Sequence, residues 1–195
     1  MQSTDSGSAR DTLAALWSPL LAITTIHEGR ANGQIALAAL PASILPDAPR
    51  VLVELWKANL THDLVLTSGV FAVHLLPASG DDHLLATLAL IRQLGLRTGR
   101  DGDKLAEVPW RPGVTGCPVL TDALCYAEAR VTATLDAGEM TIFLGDVVAG
   151  ERLRPGEPLT WTVAREQMPP DWLAEYDANQ QRQRDEARRL RGGNS

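Results

Sequence analysis

A chain of 195 residues, 45% of them hydrophobic, has enough apolar content to bury one sizeable core and lies outside the composition of disordered chains. Its formal net charge of −6 argues against a domain built to hold a polyanion, so nucleic-acid binding is disfavoured. The longest apolar runs, such as Leu84 to Leu90, fall far short of the roughly 20 residues that span a membrane, and the polar opening MQSTDSGSAR lacks the apolar stretch of a secretory signal.

Pro19 to Ile26 (PLLAITTI) is a β-branched apolar run, and Gln34 to Leu40 follows the turn residues His27 to Arg30, so the pair predicts a hairpin. The nearly unbroken apolar character of the second run predicts burial on both faces. Ser43 to Pro49 is a proline-punctuated loop that leads into a strand over Arg50 to Leu55. Thr61 is placed to cap a short helix, with Asp63 in its first turn and Gly69 at its end. A strand over Val70 to Leu76 comes next. Asp81 or Asp82 caps a second helix, in which Leu84, Leu85, Leu88, Ile91 and Leu94 recur at helical spacing up to Gly95.

Arg97 to Val119 is rich in Gly, Pro and charge and too long for a plain connector, which marks it as a functional segment or lid. Regular alternation from Leu124 to Leu135 places Tyr126, Glu128, Arg130, Thr132 and Thr134 on one face, the pattern of a half-buried antiparallel strand. Asp136-Ala137-Gly138 turns the chain back into Met140 to Ala149, and Thr160 to Val163 reads as a final strand. After Pro169-Pro170, Trp172, Leu173 and Tyr176 begin an amphipathic helix that becomes highly polar from Asn179, where the arginines at 182, 184, 188, 189 and 191 against only Asp185 and Glu186 fit either a solvated, fraying helix or an anionic partner. Short strands joined by turns, with no βαβ rhythm, predict a mainly β fold: an antiparallel split barrel with short flanking helices and a C-terminal helical tail. The chain divides into a flexible N-terminus over 1–12, one domain over 13–165, and a helix and tail over 166–195.

The two cysteines, Cys117 and Cys125, form no CxxC pair and read as reduced, core-type residues of a cytoplasmic protein. His27, His62, His74 and His83 show no metal-ligand spacing with carboxylates, and His74, alternating within a strand, reads as structural. The helix start at Thr61 offers unpaired N–H groups and a favourable dipole for an anion, with Lys57 and Asn59 just before it. The same residues also fit a plain cap beside a solvated lysine.

Three segments decide further. Ser43 to Leu76 (SILPDAPRVLVELWKANLTHDLVLTSGVFAVHLL), Gly99 to Leu120 (GRDGDKLAEVPWRPGVTGCPVL) and Asp136 to Gly150 (DAGEMTIFLGDVVAG) occur in one order and at separations that resemble the flavin reductase-like family of FMN-binding split barrels. The resemblance covers roughly Leu13 to Gly150. It implies a six-stranded barrel and a homodimer holding FMN between subunits. NAD(P)H would bind beside the flavin and pass it hydride, and a partner such as a monooxygenase would consume the reduced flavin. An FMN-binding electron carrier without NAD(P)H turnover and a flavin-free structural dimer are the alternatives on the same fold.

By the same resemblance, Lys57, Asn59 and Thr61 meet the FMN phosphate, and Gln34 and Ser43 are the polar candidates along the segment that follows the ring and ribityl chain. Arg100 and Lys104 of the charged loop meet a phosphate or pyrophosphate of a nucleotide, or belong to a salt-bridged surface turn. Trp110 walls the pocket or packs on the dimer partner. The chain departs from the family at Met140, where a histidine often stands; methionine neither donates a hydrogen bond nor titrates. No residue is assigned a catalytic role.

Overall fold

The computed structural model of the protein describes residues 19–78 and 81–192. In chain order these hold strands β1 (Leu21–His27), β2 (Arg30–Ala36), β3 (Ala39–Pro41) and β4 (Arg50–Trp56), helix α1 (Leu60–Ser68), strand β5 (Val70–Leu75) and helix α2 (Asp81–Leu96). A short ribbon of β6 (Trp110–Pro112) and β7 (Pro118–Leu120) precedes the long strands β8 (Cys125–Asp136) and β9 (Met140–Arg152), and helices α3 (Trp161–Gln167) and α4 (Pro170–Gly192) follow. The flexible segment expected over 1–12 lies outside the described residues, as do the side chains of Asp81 and Asp82.

Seven strands form one antiparallel sheet in the order β2-β1-β5-β8-β9-β4-β3. In a flat sheet of this size the edge strands would stand about 29 Å apart, at roughly 4.8 Å per neighbour. Yet the edges β2 and β3 are joined by only Leu37 and Ala38, a path of at most about 11 Å. The sheet must therefore curl until its edges approach, which makes the half-barrel. Because β2 and β3 are one path broken at a corner, the seven ladder positions are traced by six chain passes.

Ala22 and Ile23 point to opposite faces of β1, and they belong to two different cores. On one face Ile23, Val53, Leu55, Phe71 and Phe143 close around Val65 of α1. On the other, Leu88, Ile91 and Leu94 of α2 pack with Leu20, Leu76, Leu105 and Leu120. Leu85 falls off that helical stripe and is exposed. Phe71 and Phe143 are fully buried, so truncating either to alanine removes about 3–5 kcal/mol.

The β1–β2 turn is Glu28-Gly29, both with positive φ (48° and 78°), which matches the right-handed twist of the strands it joins. That turn fixes His27 opposite Arg30, so β2 begins four residues before the expected Gln34. The strand carries polar Asn32 and Gln34 into the interior, while Leu37 and Leu40, expected to be buried, are exposed beyond the corner. Helix α1 starts at Leu60, with Asn59 in the extended N-cap position rather than Thr61. At its other end Gly69 adopts the left-handed conformation (φ 68°) and donates to the Val65 carbonyl. Thr160 to Val163 is not a strand: Thr160 caps α3 by accepting from the Val163 N–H, which draws the following residues into a helix. The alternation of β8 is broken by two register shifts, so Glu128 and Ala129 are both buried and residues from Thr132 onward are exposed.

Candidate functional site

A cleft of about 550 Å³ opens where β2, the strand end of β4, the start of α1 and the residues after α2 meet. Strand β2 brings Gln34 to it, and Asn59, at the head of α1, donates its amide to the Gln34 Oε1 at 3.1 Å. With its side chain turned to Gln34, Asn59 makes no cap bond to the first turn of α1. Trp56 ends β4 directly opposite Met140 of β9, and both line the cleft. The segment after α2 supplies Arg97, Arg100 and Lys104. An Asp103 carboxylate that accepts from the Leu105 N–H at 2.8 Å sets the bend around Lys104, while buried Leu105 anchors the segment in the core.

Two polar atoms of this wall lack partners. Lys104 is only 6% exposed and has no hydrogen bond or ion pair among the described residues. Burial alone pulls its ammonium group down to about 8. The Trp56 indole N–H is buried without an acceptor. Isolated buried donors are costly, so this wall fits a ligand that brings an anion and hydrogen-bond acceptors. Arg100 is less free, since it donates to the Asp63 carboxylate at 2.7 Å and, with His62, holds that carboxyl below the usual range against a burial effect that raises it. The lining as a whole holds four cations (Arg97, Arg100, Lys104 and Arg182) against two carboxylates (Glu54 and Glu186), an excess of positive charge on an acidic chain.

The flavin reductase like domain matches residues 13–167. The chain belongs to that family. A high molecular weight rubredoxin of Moorella thermoacetica is 35% identical over 143 residues, 73% of this chain; the chain spans 59% of that relative's length. A ferric-chelate reductase (NAD(P)H) of Archaeoglobus fulgidus is 33% identical over 143 residues, covering 73% of this chain and 80% of the relative. The fold is similar to the crystal structure of an FMN-binding protein from Thermus thermophilus with bound p-hydroxybenzaldehyde, at a TM-score of 0.62 and 25% identity over 71% of this chain and 73% of that one.

Within this flavin reductase-like domain the structure gathers Gln34, Asn59, Arg100 and Lys104 into one cleft and leaves Lys57, Thr61, Ser43 and Trp110 out of its walls. Lys57 turns to the β8–β9 turn, where its ammonium meets Asp136 at 2.6 Å. Thr61 is buried and accepts from Asn32 at 2.9 Å. Ser43 accepts from the Leu45 N–H in its own loop, and Trp110 lies in the β6–β7 ribbon. His62 bonds Thr141, the neighbour of Met140, at 2.9 Å, but it does not line the cleft. His74 is satisfied on both nitrogens: the Leu120 N–H donates to Nε2, so Nδ1 carries the proton and donates to the Ala22 carbonyl.

Sequence reasoning missed Trp56, Arg97 and the carboxamides of α4, whose arginines it read as solvated or facing an anionic partner. A tryptophan at a strand end and a lone arginine after a helix carry no pattern of their own. The helix had one usable mark, the continuation of its spacing past Asn179. Among the described residues no helix is long and apolar enough to cross a membrane, and no cluster of His, Cys, Asp and Glu is arranged to hold a metal ion.

Proposed function

We propose that the protein is an NAD(P)H:flavin oxidoreductase that binds FMN in this cleft and works as a homodimer. The observation that carries the reading is Lys104, a largely buried lysine with no partner among the described residues, in the cleft that also takes the head of a helix whose cap side chain is turned away. Lys104 would hold the phosphate, while Arg100 adds charge from the same loop. Gln34, Asn59 and the Trp56 indole offer donors and acceptors to the rest of the nucleotide, and the apolar surfaces of Trp56 and Met140 keep water from the ring. Bound FMN would supply the chemistry that no side chain here has, accepting hydride from a nicotinamide. Because Met140 cannot carry a proton, proton traffic at that position is left to solvent.

Leu37, Leu40, Ile44 and Leu45 form an exposed apolar run on and beside β3, with Ile44 98% exposed, and a second subunit is the natural cover for it. Residues 13–165 are the flavin domain in this reading, with 166–195 appended to it. The free Cys117 and Cys125 suit a reducing compartment such as the cytoplasm, where a monooxygenase is one consumer of the reduced flavin.

Anaerobic mixing tests the reading. Protein that stays yellow after desalting with FMN and bleaches promptly on addition of NADH or NADPH is the expected result. Colourless protein in excess FMN would overturn it. Yellow protein that neither nucleotide bleaches would leave the second reading, an electron carrier, which Met140 favours.

A further inference from the structure

The family match ends at Gln167, yet the cleft extends beyond it. Helix α4 supplies Tyr176, Asn179, Gln180, Arg182, Gln183 and Glu186 to the wall. Its half-buried stripe runs from Trp172, Leu173 and Tyr176 through Asn179, Gln180 and Gln183 without a break. Only the chemistry changes along it, as apolar packing gives way to carboxamides, which donate to and accept from a polar ligand.

The first half of the helix is held firmly. Arg92 donates to Glu175 at 3.1 Å and lies 4.9 Å over the Trp172 ring, and the Trp161 and Tyr176 rings are 4.4 Å apart. Arg165 grips Asp177 with two bonds of 2.9 and 3.0 Å, and Asn179 donates to the Gly95 carbonyl at 3.4 Å. Beyond Asn179 the side-chain bonds among described residues stay within the helix, Arg182 to Asn179 and Arg188 to Asp185 among them. The second half is therefore presented to the cleft by an anchored first half.

FMN brings one phosphate, and the loop carrying Arg100 and Lys104 already answers it. Arg182 comes from a different element, and its exposed guanidinium, bonded to Asn179 alone among the described residues, keeps donors for a second anion. We propose that the second half of α4 is the recognition wall for the nicotinamide dinucleotide, with Gln180 and Gln183 facing its polar edges and Arg182, braced by Asn179, reading one of its phosphates. This rests on the reductase reading above for its ligand, but its test reads binding as well as turnover.

FMN-loaded protein and its Arg182→Gln and Arg182→Lys variants would be titrated with NAD+ and NADP+, and assayed with NADH and NADPH. Loss of one charge-assisted contact should weaken binding and raise KM about tenfold in Arg182→Gln, with kcat little changed and partial recovery in Arg182→Lys. An equal loss for both nucleotides assigns Arg182 to the pyrophosphate, and a loss confined to NADP+ and NADPH assigns it to the 2′-phosphate; either supports the wall. Nucleotide binding indifferent to Arg182, or weakened FMN affinity in its place, overturns it. Arg182-dependent binding without turnover would sink the reductase reading and keep the wall, and no binding of any nicotinamide nucleotide would sink both.

Discussion

Glu128 and Lys104 are both ionisable and both buried, and the structure treats them in opposite ways. The Glu128 carboxylate accepts from the Val114 N–H at 2.9 Å, the Thr115 N–H at 2.7 Å and the Thr115 hydroxyl at 2.5 Å, so it pins the loop before β7. Lys104 meets no partner among the described residues. A buried charge whose bonds are all made internally belongs to the fold. One whose bonds are unmade is held ready for something that arrives.

The largest test of this contrast is Glu128→Ala. It strands two backbone N–H groups and should cost about 3–5 kcal/mol, at roughly 1–3 kcal/mol per orphaned donor with some loss of packing. Urea unfolding measures that cost, and the FMN affinity of the molecules that remain folded should not change. His74, another fully partnered buried group, should show itself through acid. Its burial lowers its pKa from 6.5 to about 4, so between those values the unfolded chain binds a proton that the folded chain refuses. Its contribution is complete above pH 6.5 and is lost as the pH falls toward 4, about 3 kcal/mol in all. Unfolding midpoints measured across that window should flatten in His74→Gln.

Lys104→Met should behave in the reverse sense to Glu128→Ala. Removing an uncompensated buried charge should leave the flavin-free protein as stable or up to about 2 kcal/mol more stable. FMN affinity should fall about 10- to 100-fold, the worth of one charge-assisted bond. A Lys104→Met protein destabilised as much as Glu128→Ala would erase the distinction between the two residues.

How far the sequence discloses this contrast follows from physical causes. The β8–β9 hairpin and Gly69 are legible because period-two alternation and a left-handed cap are local properties. The start of β2 is not, since the Glu28-Gly29 turn sets the register and a non-glycine at positive φ is a poor advertisement for it. Thr160 sits in a β-branched stretch, but its side-chain bond to Val163 is what decides for helix. At the site, Gln34, Asn59, Arg100 and Lys104 could be named from the motifs that resemble the family. Ser43, Lys57 and Thr61 were named with them, yet each finds its partner away from the cleft, which only the folded chain reveals. Helix α4 shows the same limit from the other side, because a polar stripe reads as solvent-facing until a cleft is placed beneath it.

The smallest expected effect sharpens the role of Lys104 most. Its ammonium loses a proton near pH 8 in the flavin-free protein because burial alone opposes the charge. A phosphate monoester is already close to dianionic above about pH 7, and the arginines of the cleft do not change charge there. Binding above pH 8 must therefore restore a proton to Lys104. FMN affinity should hold below pH 8 and fall about tenfold per unit above it, roughly 1.4 kcal/mol, with net proton uptake that makes the binding heat depend on the buffer's ionisation enthalpy. Calorimetry in two buffers at pH 9 reads that uptake directly. Lys104→Met should abolish the pH dependence, and persistence of the slope in that variant would assign the proton, and with it the phosphate, to another group.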